Sequence, residues 1–296
     1  MNLAINWFLA ALFISNSVSP VSAQASNTSS LDSCPQDIQS IANGRAKHNS
    51  TGSTAFNLGQ EDDWQLSYSL QDMRAENYRA GHWVTMQYLS TFLSVPASFN
   101  GSPRGSHTRI CSYRMPGQNK TLDDRSEGAS GSCEGVLSDE CIQSLLLAPP
   151  PVEDDCPRID PTEACGFGVI VGRVAPSNFS SGTCTLDGLP HIDLPEGYRT
   201  YSGLVGSSIL PPDRTRESFE VYDLRVRQPI PMLITSSVAN SDERHAAVVC
   251  LAPSNVTDGS RVPEGEFPPS AASVLSSRGN ALMASVAACV VALALL

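Results

Sequence analysis

The chain is short of positive charge and of the local signatures that announce chemistry. Its 19 Lys and Arg face 30 Asp and Glu, for a formal net charge of −11, and only Lys47 and Lys120 are lysines. An acidic surface is repelled by phosphate backbones and by anionic lipid, which argues against nucleic acid as a partner. No G-x-S-x-G pentapeptide occurs, so the elbow of an α/β-type serine hydrolase is absent. No C-x2-C or H-x3-H spacing points to zinc, and no D-x-D-x-D-G loop points to calcium. Aromatic residues make up 6% of the chain. The sequence implies no cofactor and no metal.

What is present concerns destination first. Trp7 to Ile14 forms an apolar core, followed by a polar stretch and then Val21-Ser22-Ala23, the small residues that signal peptidase reads. No Lys or Arg precedes that core, a departure from the usual pattern. As a helix, a run of this length spans only ~12 Å, far short of a bilayer. Residues 1–23 are therefore expected to be a cleaved secretory signal. At the other end, Ala281 to Leu296 is apolar or small throughout. The polar spacer Ser273 to Asn280 precedes it, and before that comes the small triplet Ser270-Ala271-Ala272. Triplet, spacer and tail together form a glycosylphosphatidylinositol attachment signal, with Ser270 as the preferred site and Ser273 or Ser276 as alternatives. Residues 271–296 would then be removed, leaving a lipid anchor as the only membrane contact.

Of the nine cysteines, Cys289 leaves with that tail. The remaining Cys34, Cys111, Cys133, Cys141, Cys156, Cys165, Cys184 and Cys250 are an even set, as disulfides require in a secreted chain. Spacing does not choose among the pairings: a neighbouring pair such as Cys133–Cys141 and a distant one such as Cys184–Cys250 both fit. Six N-glycosylation sequons, at Asn27, Asn49, Asn100, Asn119, Asn178 and Asn255, are spread along the chain and would lie on exposed loops if used.

Between the ends the pattern is mainly β. Residues 24–59 read as a loose, polar, glycosylated segment tied down by Cys34. A disulfide-bonded ectodomain follows over 60–252, with a possible sub-boundary in the Pro-rich, acidic stretch 148–155. Strands are expected at Trp64–Leu70, His82–Val95, Thr108–Arg114, Gly168–Val174, Phe219–Arg227, Met232–Thr235 and Ala246–Ala252, from alternation and β-branched content. Pro229 and Pro231 are expected to keep their stretch off a central strand. A turn and a short helix capped by Ser138 are expected over Ser132–Leu146. Residues 253–270 read as a polar stalk. The fold class is a mainly β, sandwich-like ectodomain with a few short helices.

The segments FLSVP (92–96), TRICSYR (108–114), GSCEGVLSDECIQSL (131–145), LPEGYRTYSG (194–203) and VVCLAPSNVTDGSR (248–261) resemble, in that order, secreted and often lipid-anchored surface proteins of filamentous fungi. The resemblance covers roughly residues 60–262. It implies a compartment and a cysteine framework, and it carries over no catalytic residue. Hydrophobins, with their Cys-Cys doublets, and the compact eight-cysteine haem-binding modules do not fit.

Candidate chemistry is thin. His48, His82, His107, His191 and His245 read as surface or turn residues. The acidic clusters Glu61-Asp62-Asp63, Asp123-Asp124 and Glu153-Asp154-Asp155 read as solvated loop charge, although a glycosidase needs only two carboxylates suitably placed. Cys165-Gly166-Phe167-Gly168 reads as a turn entering a strand rather than a phosphate loop. Tyr198 and Tyr201 form the best local pair for sugar stacking, whereas Trp64 and Trp83 read as core. No catalytic residue is assigned. The expected function is a non-catalytic glycoprotein at the outer cell surface or wall. Its partner would be wall polysaccharide or a surface protein, and the rival is a wall-modifying hydrolase.

Overall fold

The computed structural model describes residues 31–60, 62–79, 82–122, 131–152, 155–168, 170–173, 179, 183–210 and 218–269. Two antiparallel sheets dominate. The first has the order β6-β3-β2-β1-β9, built from Arg199–Leu210, His82–Val95, Trp64–Arg79, Ser50–Phe56 and Asn255–Val256. The second has the order β5-β4-β7-β8, built from Ile170–Arg173, Thr108–Arg114, Ile230–Val238 and Arg244–Leu251. The described helices are short: α1 (Gln36–Ala42), α2 (Pro103–His107), α3 (Asp139–Leu146), α4 (Thr162–Cys165) and α5 (Glu220–Arg227). None is long and apolar enough to cross a membrane.

Alternation explains why the sheets stack. Trp64, Leu66 and Tyr68 of β2 share one face, as do Ile230, Met232 and Ile234 of β7, and both sets join one core with Val249 and Leu251 of β8. Trp64 is fully buried, with the rings of Phe99 and Phe179 at 5.0 and 5.6 Å and that of Phe56 edge-on at 6.2 Å. Aromatic pairs of this kind add ~0.5–1.5 kcal/mol each beyond the area they bury.

Each sheet carries a second layer on its outer face. Behind the second sheet, Cys111, Tyr113, Leu233 and Cys250 pack against Cys133, Val136, Cys141 and Leu145 around α3. As its sequence suggests, α3 is capped by Ser138, whose Oγ accepts from the Cys141 N–H at 3.2 Å. Behind the first sheet, Phe92 packs against Ile38 and Ile41 of α1 and against Leu186, Leu189 and Ile192. All eight cysteines pair, as Cys34–Cys184, Cys111–Cys156, Cys133–Cys250 and Cys141–Cys165. Neither Cys133–Cys141 nor Cys184–Cys250 forms. Cys133 instead meets Cys250 on β8, where the preceding turn also docks, the Gly131 carbonyl accepting from the Cys250 N–H at 2.8 Å. All four bonds span 148–155, and both sheets draw strands from either side of it.

Four expectations are corrected. Phe219–Arg227 is not a strand but contains α5: Tyr222 and Val226, four apart, bury against Leu70, and Glu220, Asp223, Arg225 and Arg227 match the helix dipole. The segment up to residue 59 is not loose over its described residues, 31–59. It holds α1 and then β1, which sits between β2 and β9. A Cβ on Gly52 would lie 2.1 Å from the Ala252 carbonyl oxygen, so only glycine lets these chains approach. The stretch after Pro253 is not a free stalk in its described part. It supplies β9, and the Arg261 carbonyl accepts from the Tyr222 hydroxyl at 2.8 Å. Finally, Pro231 lies inside β7 with neighbours on both sides. Its missing N–H is tolerated because the β4 ladder ends at Met232, and the Pro231 carbonyl takes the Met115 N–H at 3.0 Å.

Candidate functional site

The outer face of the first sheet is made of small polar side chains. Along β2 these are Gln65, Ser67, Ser69 and Gln71, which stand opposite Ser94, Phe92, Ser90 and Tyr88 of β3. Ser67, Ser69 and Ser94 are fully buried. The Ser94 and Thr200 hydroxyls share a hydrogen bond of 2.8 Å, and the Thr51 hydroxyl donates to the Pro190 carbonyl at 2.8 Å. The cover formed by α1 and residues 183–194 meets this face through Phe92, packed among Ile38, Ile41, Leu186, Leu189 and Ile192, and through the hydroxyls of Thr51 and Ser202.

Where that cover stops, a cleft of about 770 Å³ opens between α1 and the strands. One wall is the first turn of α1 and the chain that follows, bringing Gln36, Asp37, Arg45 and His48. The floor is Gln71 and Met73 of β2, Tyr88 and Ser90 of β3, and Ser202 of β6. The volume is that of a small-molecule site.

Two side chains stand out. Asp37 Oδ1 accepts from its neighbour's N–H (Ile38) at 2.9 Å and from the Ser202 hydroxyl at 2.6 Å, while Oδ2 has no partner among the described residues. His48 is 9% exposed, and neither ring nitrogen has a partner among the described residues. Burial penalises its charged form and lowers its pKa from 6.5 to about 4, so the ring is neutral at ordinary pH. A neutral imidazole offers one donor and one acceptor. A serine-protease-like relay would need His48 hydrogen-bonded to both a hydroxyl and the carboxylate. Here the carboxylate holds the hydroxyl directly, and His48 takes no part.

The other residues singled out by sequence scatter. Tyr201 is buried core in β6, and Tyr198 donates its hydroxyl to the Asp63 carbonyl at 2.7 Å, so the pair presents no stacking platform. Tyr201 belongs to β6, whose small residues hide the strand in the sequence, while Tyr198 lies in the turn just before it. His107 and His191 are exposed, and His245 Nε2 lies 3.0 Å from Glu243 Oε1. His48 departs from the surface reading: it is buried in the cleft wall. Asp62 and Asp63 are exposed loop residues holding Ser98 and Asn57. Asp155 is exposed. Glu61, Asp123, Asp124, Glu153 and Asp154 lie outside the described residues, as do the side chains of His82 and Trp83. No group of three metal-binding side chains occurs among the described residues. Gly166 ends α4 in the left-handed conformation, φ 74°, ahead of β5.

Asn119 and Asn255 are exposed. Asn100 is half-buried, its Oδ1 taking the Tyr201 hydroxyl. Asn49 is also half-buried: its Oδ1 accepts from the Asp72 N–H at 2.6 Å, and its Nδ2 donates to the Ser260 hydroxyl at 3.4 Å. Asn27, Asn178 and Ser270 lie outside the described residues.

Compared with protein-family models, curated proteins and solved structures, the chain matches none. Four disulfides are those of a protein folded in an oxidising, extracellular-type compartment.

Proposed function

We propose that the chain is a secreted glycoprotein, anchored by lipid through Ser270, that acts at the outer cell surface or wall by binding. Its role would be adhesion, recognition or wall organisation. The observation that carries this reading is the cleft beside α1, a built concavity whose polar groups are set for hydrogen bonding. Among the described residues it holds a single carboxylate, Asp37, where canonical glycoside hydrolysis uses two. The resemblance to lipid-anchored surface proteins of filamentous fungi supports the same compartment. Wall polysaccharide is the partner this reading favours over a surface protein, because a cleft of this size suits a saccharide unit better than a protein face.

The test uses the full glycosylated chain, purified in mild detergent and incubated with insoluble wall polysaccharides. Depletion from solution and new reducing ends are followed in the same tubes. Depletion without cleavage is expected. New reducing ends would overturn the non-catalytic reading, and silence in both would overturn the wall-binding one.

A further inference from the structure

We infer that the cleft beside α1 takes a neutral pyranose unit, held through a hydroxyl pair that reaches Asp37 Oδ2 and the ring of His48. This deepens the binding role proposed above and rests on it. The first ground is unspent hydrogen-bonding capacity. Asp37 Oδ2 and both His48 nitrogens are buried with no partner among the described residues. A buried polar group left unsatisfied costs ~1–3 kcal/mol, so a ligand that brings donors and an acceptor to these three atoms recovers that cost. Adjacent sugar hydroxyls do both, since each donates once and accepts twice.

The second ground is charge. The charged side chains lining the cleft are Asp37 and Arg45, one of each sign, and His48 is uncharged. With one charge of each sign, the lining carries no net field that favours an acid or an amine, and a charged ligand loses more hydration on entering than a neutral ring does.

The third ground is shape. Tyr88, Met73 and Phe92 give the floor apolar surface against which the C–H face of a pyranose packs, while Gln71, Ser90 and Ser202 ring it with polar atoms. A wholly apolar ligand would leave Asp37 and His48 unsatisfied. Asp37 Oδ2 and the His48 nitrogens are shielded from solvent in the unliganded molecule, so a sugar reaches them only when side chains of the cleft wall shift. At the rim, Gln36 and Arg45 are exposed, long and free to change rotamer, so a ligand displaces them at small cost.

The experiment is saturation-transfer NMR on the full chain in detergent. The probes are methyl glucoside, methyl mannoside and N-acetylglucosamine, with galacturonic acid as the charged comparison. Asp37→Asn keeps the Ser202 contact and removes the acceptor at Oδ2. Gln36→Trp blocks the rim from an exposed position that does not bear on folding. Leu147→Ala, at a site 84% exposed and outside the cleft lining, is the control. The expected result is transfer to at least one neutral sugar, with affinity falling tenfold or more in Asp37→Asn and Gln36→Trp and unchanged in Leu147→Ala. Transfer to galacturonic acid alone, or transfer that survives both cleft variants, overturns the inference. Polysaccharide depletion without transfer to any neutral sugar also overturns it while leaving the binding role intact. Silence in both experiments removes the role itself.

Discussion

The two outer faces of the sandwich are covered to different degrees. Behind the second sheet, the cover around α3 and α4 is apolar and cross-linked by Cys111–Cys156, Cys133–Cys250 and Cys141–Cys165. Behind the first sheet, the cover around α1 holds a smaller apolar cluster around Phe92, meets the sheet also through the Thr51 and Ser202 hydroxyls, and is tied by Cys34–Cys184. The first arrangement closes a core. The second leaves a cleft lined by Asp37 and His48, the side to which we assign the proposed recognition. Three bonds on one side and one on the other also concentrate rigidity away from the place where a ligand would need side chains to move.

The largest effect that tests this division comes from the staples. Replacing Cys133 and Cys250 together by Ala frees a loop of sequence separation 117 and should cost about 5 kcal/mol by chain entropy. The loss is read as a lowered urea midpoint. Under conditions where the variant is still folded, its sugar binding should match that of the parent.

The next effect belongs to the polar side. The unfolded chain takes a proton at His48 near 6.5, and the folded chain resists until about 4. Protonation therefore favours unfolding: the stability is full above about 6.5 and declines as pH falls toward about 4, by at most about 3 kcal/mol. Urea midpoints at pH 7 and 4.5 should differ less in His48→Gln than in the parent. An equal difference in both would show that His48 is not held neutral by burial.

How much of this was legible in the sequence follows from the same division. The β4 strand and the Ser138-capped helix α3 were read with their correct ends, because alternation, a capping serine and an apolar run act within a few residues. The first sheet was read only in part. β1 (STGSTAF) and β6 carry too little bulk to look like strands, yet Ser50 and Thr51 are fully buried, since a hydroxyl face packs as tightly as an apolar one when every strand is in place. In α5 the charge order Glu220, Asp223, Arg225, Arg227 was visible, but the alternation of Phe219 and Val221 outweighed it. The cleft was not legible at all. Asp37 and His48 come from a stretch with the composition of a linker, and they meet Tyr88 and Ser202 only through sheet pairing at long range. The disulfide partners were hidden for the same reason.

Smaller effects sharpen the contrast further. Ser94→Ala should cost ~1–2 kcal/mol, because it strands the buried Thr200 hydroxyl on the polar side. Ser138→Ala should cost ~1 kcal/mol by uncapping α3. Both are read from thermal or urea unfolding, and the Ser138 variant should leave sugar binding unchanged.

The central claim is that recognition belongs to the α1 side. Hydrogen–deuterium exchange on the full chain, with and without a neutral wall oligosaccharide, tests it most directly. The account predicts slowed exchange over residues 36–48 and 86–92, with residues 133–165 unaffected. Slowing confined to 133–165, or none in either region, would contradict it.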